Sequence, residues 1–268
     1  LSAQSSRYST GSPTPAPAPK KKGWLGGLAG VLKDVTKDGG STVQGQPHLA
    51  VYAVGRILGH SDFAYPFVVQ LLDGAGRPMY PAAPLTVTIT SRHPNIVRFY
   101  GAARPETTTV TLKPAGRSGM DGMSWDTVRV TAASNSVAGT ATLVVSAPGY
   151  PEVAVTVTTV PARTPDNRNT SAQTAPAARV SLTVMPPVVE SNRQPQIWMD
   201  LLDANGQPTG VDFGPGEWLL ESSNPAVFPS YASSGRNAVL NPTGPGQTEL
   251  TLRPKRFGLT GSSASLIV

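Results

Sequence analysis

The amino-acid sequence predicts an all-β protein of two tandem β-sandwiches, preceded by a Pro/Ala-rich arm and a short amphipathic helix. Three observations predict this fold class. A strand-and-turn unit occurs twice, short runs rich in Val, Thr and Ile recur between turn residues, and Gly and Pro number 27 each in a chain with only 14% charged residues. Many short strands joined by such turns are typical of sandwiches rather than of helical proteins.

The repeated unit begins at Phe67 and returns about 130 residues later at Ile197. In each copy an apolar run ends at an aspartate, Asp73 or Asp203, and Gly and Pro follow. This pattern predicts a half-buried strand that ends in a tight turn. A second turn, with Pro at the matching place, keeps the register to within one residue. The repeat therefore predicts two similar β-domains.

Residues 1–22 form the predicted arm, which is rich in Pro, Ala and Ser and ends in Lys20, Lys21 and Lys22. Such a composition cannot bury a core, so we expect a solvated tether. The sequence opens at Leu1 on small residues without Met, which indicates that a signal peptide has been removed. The alternative is an arbitrary boundary of the chain.

Residues 23–38 carry the predicted helix, and residues 39–47 follow as a linker. Its apolar positions have the spacing of one helical stripe. They are Trp24, Leu25, Leu28, Val31, Leu32 and Val35. With the three preceding lysines, the stripe suits an anionic membrane surface or the flank of a membrane complex. The alternative is that it docks on the first domain of the same chain.

Residues 48–160 form the predicted first sandwich, residues 161–177 a polar linker, and residues 178–268 the second sandwich. The strands expected in the first are 48–54, 63–72, 85–90, 96–100, 107–112, 127–132, 138–145 and 153–160. Those expected in the second are 180–184, 196–202, 217–221, 226–228, 238–240, 248–252 and 264–268. The first copy is longer chiefly in its loops.

The loop from 115 to 126 contains Met120, Met123 and Trp125. Clustered Met and Trp residues on a loop often mark a contact surface, so these three are a candidate contact loop. The same residues could equally fold back and cap the sandwich. Both interpretations stay open at this stage.

The second sandwich resembles a bacterial immunoglobulin-like (Big) domain, the module of invasin- and intimin-type surface proteins. The resemblance lies in residues 178–184, the turn at 201–208, Trp218 followed by 221–227, and residues 245–252. In the first sandwich the match is looser and covers 71–78, 91–97 and 138–143. The resemblance implies tandem immunoglobulin-like sandwiches used outside the cytoplasm as spacer, adhesin or scaffold, without catalysis or functional residues.

No pattern in the sequence indicates an enzyme, so we expect no catalytic, cofactor-binding or metal-binding residues. The chain has no Cys, and its three histidines, His48, His60 and His93, lack metal-ligand spacing. Asp73 and Asp203 suggest a calcium loop, but one carboxylate per turn is too few for the oxygen shell of that ion. Turn capping by the aspartate side chain is the favoured interpretation.

The charge of the chain is concentrated at one end, since most of the net +6 falls within residues 1–47. A basic arm of this kind is expected to meet something acidic. We expect a non-catalytic scaffold subunit, periplasmic or extracellular and peripheral to a membrane, whose arm and helix attach to protein subunits of a membrane complex or to anionic lipid. Nucleic acid is not an expected partner. The alternative function is an adhesin or carbohydrate-binding module that acts through sandwich loops.

Overall fold

The computed structural model describes residues 45–60, 63–116, 122–134, 137–161, 177–210, 217–233, 237–238, 240–255 and 259–268. The predicted arm and helix therefore lie outside the described residues, as do the linker 161–177 except for its ends and most of the linker 39–47. The same holds for the predicted attachment residues. These are Lys20, Lys21, Lys22, Trp24, Leu25, Leu28, Val31, Leu32 and Val35.

Every regular element in the described ranges is a β-strand. The strands are β1 (His48–Ala53), β2 (Arg56–Gly59), β3 (Tyr65–Leu72), β4 (Leu85–Ser91), β5 (Val97–Phe99), β6 (Thr107–Leu112), β7 (Trp125–Ala132), β8 (Gly139–Ala147), β9 (Tyr150–Pro161), β10 (Arg179–Met185), β11 (Gln196–Leu202), β12 (Trp218–Ser222), β13 (Tyr231–Ser233), β14 (Asn237–Ala238), β15 (Gln247–Pro254) and β16 (Ser262–Ile267). No helix long and apolar enough to cross a membrane occurs in the part of the chain that the structure describes.

The first half of the chain builds two sheets, with strand orders β1-β3-β7-β5 and β2-β9-β8-β4-β6. All of these pairs are antiparallel except β2 with β9. The inward side chains of both sheets share one core, in which Phe67 and Leu71 of β3 meet Ile89 of β4 and Leu143 of β8. Two sheets that pack around one core form a β-sandwich.

The second half repeats this plan with fewer strands, in the orders β10-β11-β14 and β13-β12-β15-β16. Its core contains Met199 and Leu201 of β11, Trp218 and Leu220 of β12, and Leu250 of β15. In the described ranges, no sheet contains strands of both halves. The all-β prediction is confirmed for this part of the chain.

Three details differ from the predicted strands. Strand β2 was not expected, because four residues that end in Gly give no clear alternation. Strand β13 was not expected either, since its Tyr-Ala-Ser sequence has one large side chain. Residues 226–228 are not a strand but a turn, in which the Asn224 carbonyl accepts hydrogen bonds from the backbone N–H of Val227 and Phe228 at 2.9 and 3.1 Å.

That turn has a counterpart in the first half. The His93 carbonyl accepts hydrogen bonds from the backbone N–H of Ile96 and Val97 at 2.9 and 3.0 Å. The two turns stand at matching places of the repeat, each with proline after the accepting residue. The second turns of the two copies therefore share their hydrogen-bond pattern as well as their sequence position.

The prediction that the repeated strand is half-buried is wrong. All eight residues of β3 are buried, including Gln70, which has no exposed surface. In β11, Ile197, Trp198, Met199, Asp200 and Leu201 are buried. Since neighbouring side chains in a strand point to opposite faces, both faces of each strand must be covered. One face contributes to the core of its own half, and the other meets the opposite half of the molecule.

Candidate functional site

The two repeated aspartate turns have the same internal geometry. Asp73 Oδ1 accepts hydrogen bonds from the backbone N–H of Ala75 and Arg77 at 2.8 and 2.9 Å. Asp203 Oδ1 accepts the corresponding bonds from Asn205 and Gln207 at 2.9 Å each. One carboxylate oxygen in each turn therefore binds two backbone donors, which confirms the turn-capping interpretation.

The surroundings of the two turns differ. Arg77 Nε donates to Asp73 Oδ2 at 3.0 Å. Partial burial alone would raise the pKa of Asp73, but the backbone hydrogen bonds and the Arg77 guanidinium outweigh it and hold that pKa below its usual range. Asp203 is only 6% exposed. The second turn also contacts the first half, because Arg56 Nη1 donates to the Gly206 carbonyl at 3.4 Å.

The junction between the two halves is defined here by Tyr65, Gln70, Met185, Val188 and Trp198. Gln70 Nε2 donates to the Val188 carbonyl at 2.8 Å, and Gln70 Oε1 accepts a bond from the Tyr52 hydroxyl at 3.3 Å. A buried amide with partners on both of its atoms favours one arrangement of the two halves, since each shift would leave a polar group unpaired. Burial raises the pKa of Tyr52, which keeps its hydroxyl protonated as a donor.

Trp198 provides an aromatic contact across the junction. Its ring centroid lies 5.1 Å from that of Tyr65 at an interplanar angle of 52°, and its Nε1 donates to Asp200 Oδ2 at 2.8 Å. The indole is 8% exposed and Met185 beside it 1%. Both residues pack with the core of the first half although they belong to strands of the second. The junction thus continues the first hydrophobic core.

A polar contact lies beside the junction. The Arg193 guanidinium donates to the Gly122 carbonyl, which ties the turn after Val189 to the segment that leads into β7. Burial raises the pKa of Asp126, although the Thr127 N–H and the charges of Arg193 and Lys113 partly offset this. Burial, together with the Glu190 carboxylate, also raises the pKa of Tyr80. These shifts indicate that water is partly excluded here.

The residues of the candidate contact loop differ in their exposure. Met120 lies outside the described residues, and Met123 is partly buried in a β-bridge with Lys113. Trp125 opens β7 opposite Gln70 and is 7% exposed. For Trp125 the contact-surface prediction is therefore wrong, and the fold-back alternative holds, because the indole packs into the first core.

The histidines do not converge on a metal site. His48 Nδ1 lies 3.1 Å from the Gln46 carbonyl, and His93 Nδ1 lies 3.3 Å from the backbone N of Thr142. The His60 ring contacts that of Phe63 in a tilted arrangement, with the centroids 5.1 Å apart. Within the described ranges, no three His, Asp or Glu side chains stand close enough to hold a metal ion together.

A groove at the end of β5 was missed by sequence reasoning. It has a volume of about 320 Å³ and is lined by Arg98, Tyr100, Pro105, Thr131 and neighbouring residues. Tyr100 is 55% exposed, whereas Trp125, Trp198 and Trp218 are 8% exposed or less. The sequence gives no signal that separates Tyr100 from a core aromatic, since it follows a buried strand directly. Its exposure depends on Gly101, whose φ of 71° turns the chain away.

No family model matches this sequence, and no curated protein sequence matches it. Solved structures similar to the chain include invasin, a bacterial integrin-binding protein, at 16% identity and a TM-score of 0.31, covering 81% of this chain and 39% of that one. The BSP domain of a biofilm-associated protein is 18% identical at a TM-score of 0.34, covering 83% and 29%. The Yersinia pseudotuberculosis adhesin InvE is 13% identical at 0.27, covering 83% and 59%.

The chain spans less than two thirds of each of these proteins. TM-scores below 0.5 mean that the superpositions are limited, so the sandwich architecture rests on the sheet topology of this chain itself. The similar structures include invasin-type surface proteins.

Proposed function

We propose that this chain is a non-catalytic structural subunit outside the cytoplasm, which residues 1–38 attach to a membrane or to a larger membrane-protein complex. The observation that carries the proposal is the buried junction. Gln70 bonded to Val188 and Trp198 packed on Tyr65 join the two sandwiches into one unit. A spacer or scaffold needs such a junction, because a freely turning pair of domains could not hold a partner at a fixed distance.

The charge distribution supports attachment through the leading segment. Most of the net +6 lies before residue 48, and the predicted apolar stripe from Trp24 to Val35 follows three lysines. A basic group beside an apolar stripe gains from both the charge and the hydrocarbon of an anionic membrane surface. A groove between subunits of a membrane complex could offer the same two features, negative charge and apolar surface.

Fractionation of cells that express the full chain or a variant without residues 1–38 tests this proposal. We expect the full chain in the membrane fraction and the shortened chain in the soluble fraction, with the same thermal unfolding midpoint for both. A Lys20→Gln, Lys21→Gln, Lys22→Gln variant separates the two kinds of partner. Its binding to vesicles containing anionic lipid should fall, whereas binding to a protein groove should depend mainly on Trp24 and Leu28.

Unchanged fractionation of the shortened chain would contradict the attachment role. A shortened chain that also lost its unfolding transition would show that residues 1–38 belong to the fold of the first sandwich. That result would favour the alternative in which the helix docks on its own domain.

The second candidate function is that of an adhesin or carbohydrate-binding module, and the groove beside Tyr100 favours it. Trp side chains cannot provide the stacking surface within the described residues, because Trp125, Trp198 and Trp218 are all buried. Tyr100 is the most exposed large aromatic side chain in that part of the chain. An adhesin role would therefore use the loop after β5.

A further inference from the structure

The groove at the end of β5 combines an exposed aromatic ring with a cation, and the two are one residue apart. Tyr100 is 55% exposed, and among the large apolar side chains of the described residues only Tyr231, at 38%, is also exposed. Arg98 lies in the middle of β5 opposite Thr131, between the buried Val97 and Phe99. Alternation along the strand therefore directs Arg98 away from the core and toward the groove.

The Arg98 guanidinium forms no hydrogen bond or ion pair within the described ranges. Some other surface arginines have carboxylate partners: Arg92 pairs with Glu152 at 3.2 Å, and Arg77 pairs with Asp73 at 3.0 Å. A guanidinium offers five N–H donors in a planar fork that matches a carboxylate. Arg98 thus retains its full capacity to bind an anion that arrives from solvent.

The surroundings of the groove add positive charge. Arg104 lies in the loop that returns from Tyr100 to β6, and Arg129 is the residue whose carbonyl accepts the Tyr100 N–H at 2.9 Å. Arg129 is itself held by a hydrogen bond from its Nη1 to the Ala64 carbonyl at 3.4 Å. Glu106, after Pro105, is the one acidic residue in the stretch from 96 to 113. The local excess of arginine favours an anionic ligand.

The size and shape of the groove restrict that ligand further. A volume of about 320 Å³ lies at the lower end of small-molecule sites. A Cβ built on Gly101 would meet nothing within 4 Å, so the backbone that follows Tyr100 faces open space. An open groove with one aromatic face accommodates one or two units of a chain that continues on either side.

We propose that the groove beside Tyr100 binds a carboxylate-bearing sugar of an acidic polysaccharide. The Arg98 guanidinium donates two parallel N–H hydrogen bonds to the carboxylate, and the ring of Tyr100 packs against the C–H face of the sugar. This inference deepens the second candidate function and rests on it. It differs from the scaffold role, which is assigned to residues 1–38, whereas the described lining of the groove comes from residues 98–105 and Thr131.

The binding of the full chain to tetragalacturonate, measured by isothermal titration calorimetry, tests the proposal. We expect Arg98→Gln to weaken binding at least about tenfold, because the charged hydrogen bonds to the carboxylate are lost. Tyr100→Ala should weaken it about fivefold through loss of the stacking surface, and Tyr100→Phe should keep most of the affinity. The methyl-esterified tetramer, which has no carboxylates, should not bind measurably.

Arg253→Gln is the matched control, since it lowers the net charge by the same amount in the second half of the chain, where Arg253 pairs with Glu221. Equal weakening by Arg98→Gln and Arg253→Gln would overturn the proposal, because it would indicate unspecific attraction. Equal binding of the esterified tetramer, or displacement of the tetramer by equimolar inorganic phosphate, would overturn it too. Unchanged membrane fractionation of Arg98→Gln would show that the scaffold role is separate.

Discussion

The two copies of the repeated strand and turn have the same internal bonds in different surroundings. Asp73 and Asp203 each accept two backbone hydrogen bonds at 2.8 to 2.9 Å. However, Asp73 pairs with Arg77 at an open turn, whereas Asp203 is 6% exposed and its turn is contacted by Arg56 of the first half. The comparison teaches that the local sequence determines the bonds of a turn, and that the packing of the halves determines its burial.

The two copies of the repeated strand also differ on their outer face, the face that points away from the core of their own half. Val68 and Gln70 in the first copy correspond to Trp198 and Asp200 in the second, and all four are buried. One copy offers a small apolar residue and an amide, and the other a large ring bonded to a carboxylate. The outer faces are thus different in chemistry, as two surfaces that pack against unlike neighbours need to be.

The largest loss of stability is expected when the Trp198 indole is removed from the junction. Trp198→Ala should lower the free energy of unfolding by about 3 to 5 kcal/mol, because it removes the contact with Tyr65 and leaves a cavity. The corresponding Val68→Ala should cost about 2 kcal/mol, since less apolar surface is lost. Urea unfolding followed by far-UV circular dichroism measures both. Equal costs at the two positions would contradict the asymmetry of the two outer faces.

A smaller effect is expected at the two capping aspartates. Asp203→Ala should destabilise by about 2 kcal/mol, because it removes a carboxylate that is only 6% exposed and that accepts the N–H groups of Asn205 and Gln207, at a place where water replaces it less easily. At the open turn, water can replace the carboxylate, so Asp73→Ala should cost about 1 kcal/mol. The two variants remove the same side chain from the same position of the turn, one in each copy of the repeat. Thermal unfolding at neutral pH gives the comparison, and a larger loss for Asp73→Ala would contradict it.

Glycine at the end of each turn provides a third comparison. Gly76 and Gly206 have φ values of 77° and 72°, where a side chain is strained, so replacement by Ala should cost about 1 kcal/mol in either copy. A Cβ at Gly206 would also contact the Arg179 guanidinium, which must then move. We therefore expect Gly206→Ala to have the lower unfolding midpoint. Identical midpoints would mean that Arg179 is displaced without cost.

The smallest effects concern pH and have opposite signs at two carboxylates. The pKa of Asp73 is lowered in the folded chain, so its charge contributes stability above the pKa of the unfolded state, and this is lost as pH falls through the folded value. The pKa of Asp126 is raised, so its ionisation removes stability as pH rises through that range. Relative to the wild type, Asp73→Asn should therefore have a lower unfolding midpoint at pH 7, and Asp126→Asn a higher one.

Both differences should shrink as the pH falls through the folded and unfolded pKa values, because the charge that distinguishes Asp from Asn is then lost. A difference that does not change with pH would show that the amide itself, and not the missing charge, changes stability. Calorimetric melting curves between pH 2 and pH 7 separate the two possibilities.

Much of the fold was accessible from the sequence because it depends on local patterns. The alternation in β6 was sufficient to predict its bounds, Thr107–Leu112, and the aspartate turns followed from Asp, Gly and Pro at fixed spacing. The short strand β2 was missed, since it exists only as a parallel partner of β9. Its sequence contains no signal of that distant pairing.

The candidate groove was less accessible. Arg98 and Tyr100 stand in a stretch that the sequence identifies only as a strand and its end, and the sequence directed attention instead to Met120, Met123 and Trp125. Whether an aromatic residue packs inward or outward at the end of a strand depends on the next turn and on the partner sheet. Trp125 and Tyr100 each occupy such a position, and they are 7% and 55% exposed.

The sequence by itself determined that two similar β-units follow each other, where most strands lie, and that each aspartate caps its own turn, because these depend on side chains and backbone groups a few residues apart. Only the tertiary structure decided that both faces of the repeated strand are buried. The contacts responsible, Gln70 with Val188 and Tyr65 with Trp198, join residues more than a hundred positions apart. Alternation within a strand carries no information about a surface that comes from the other half of the chain.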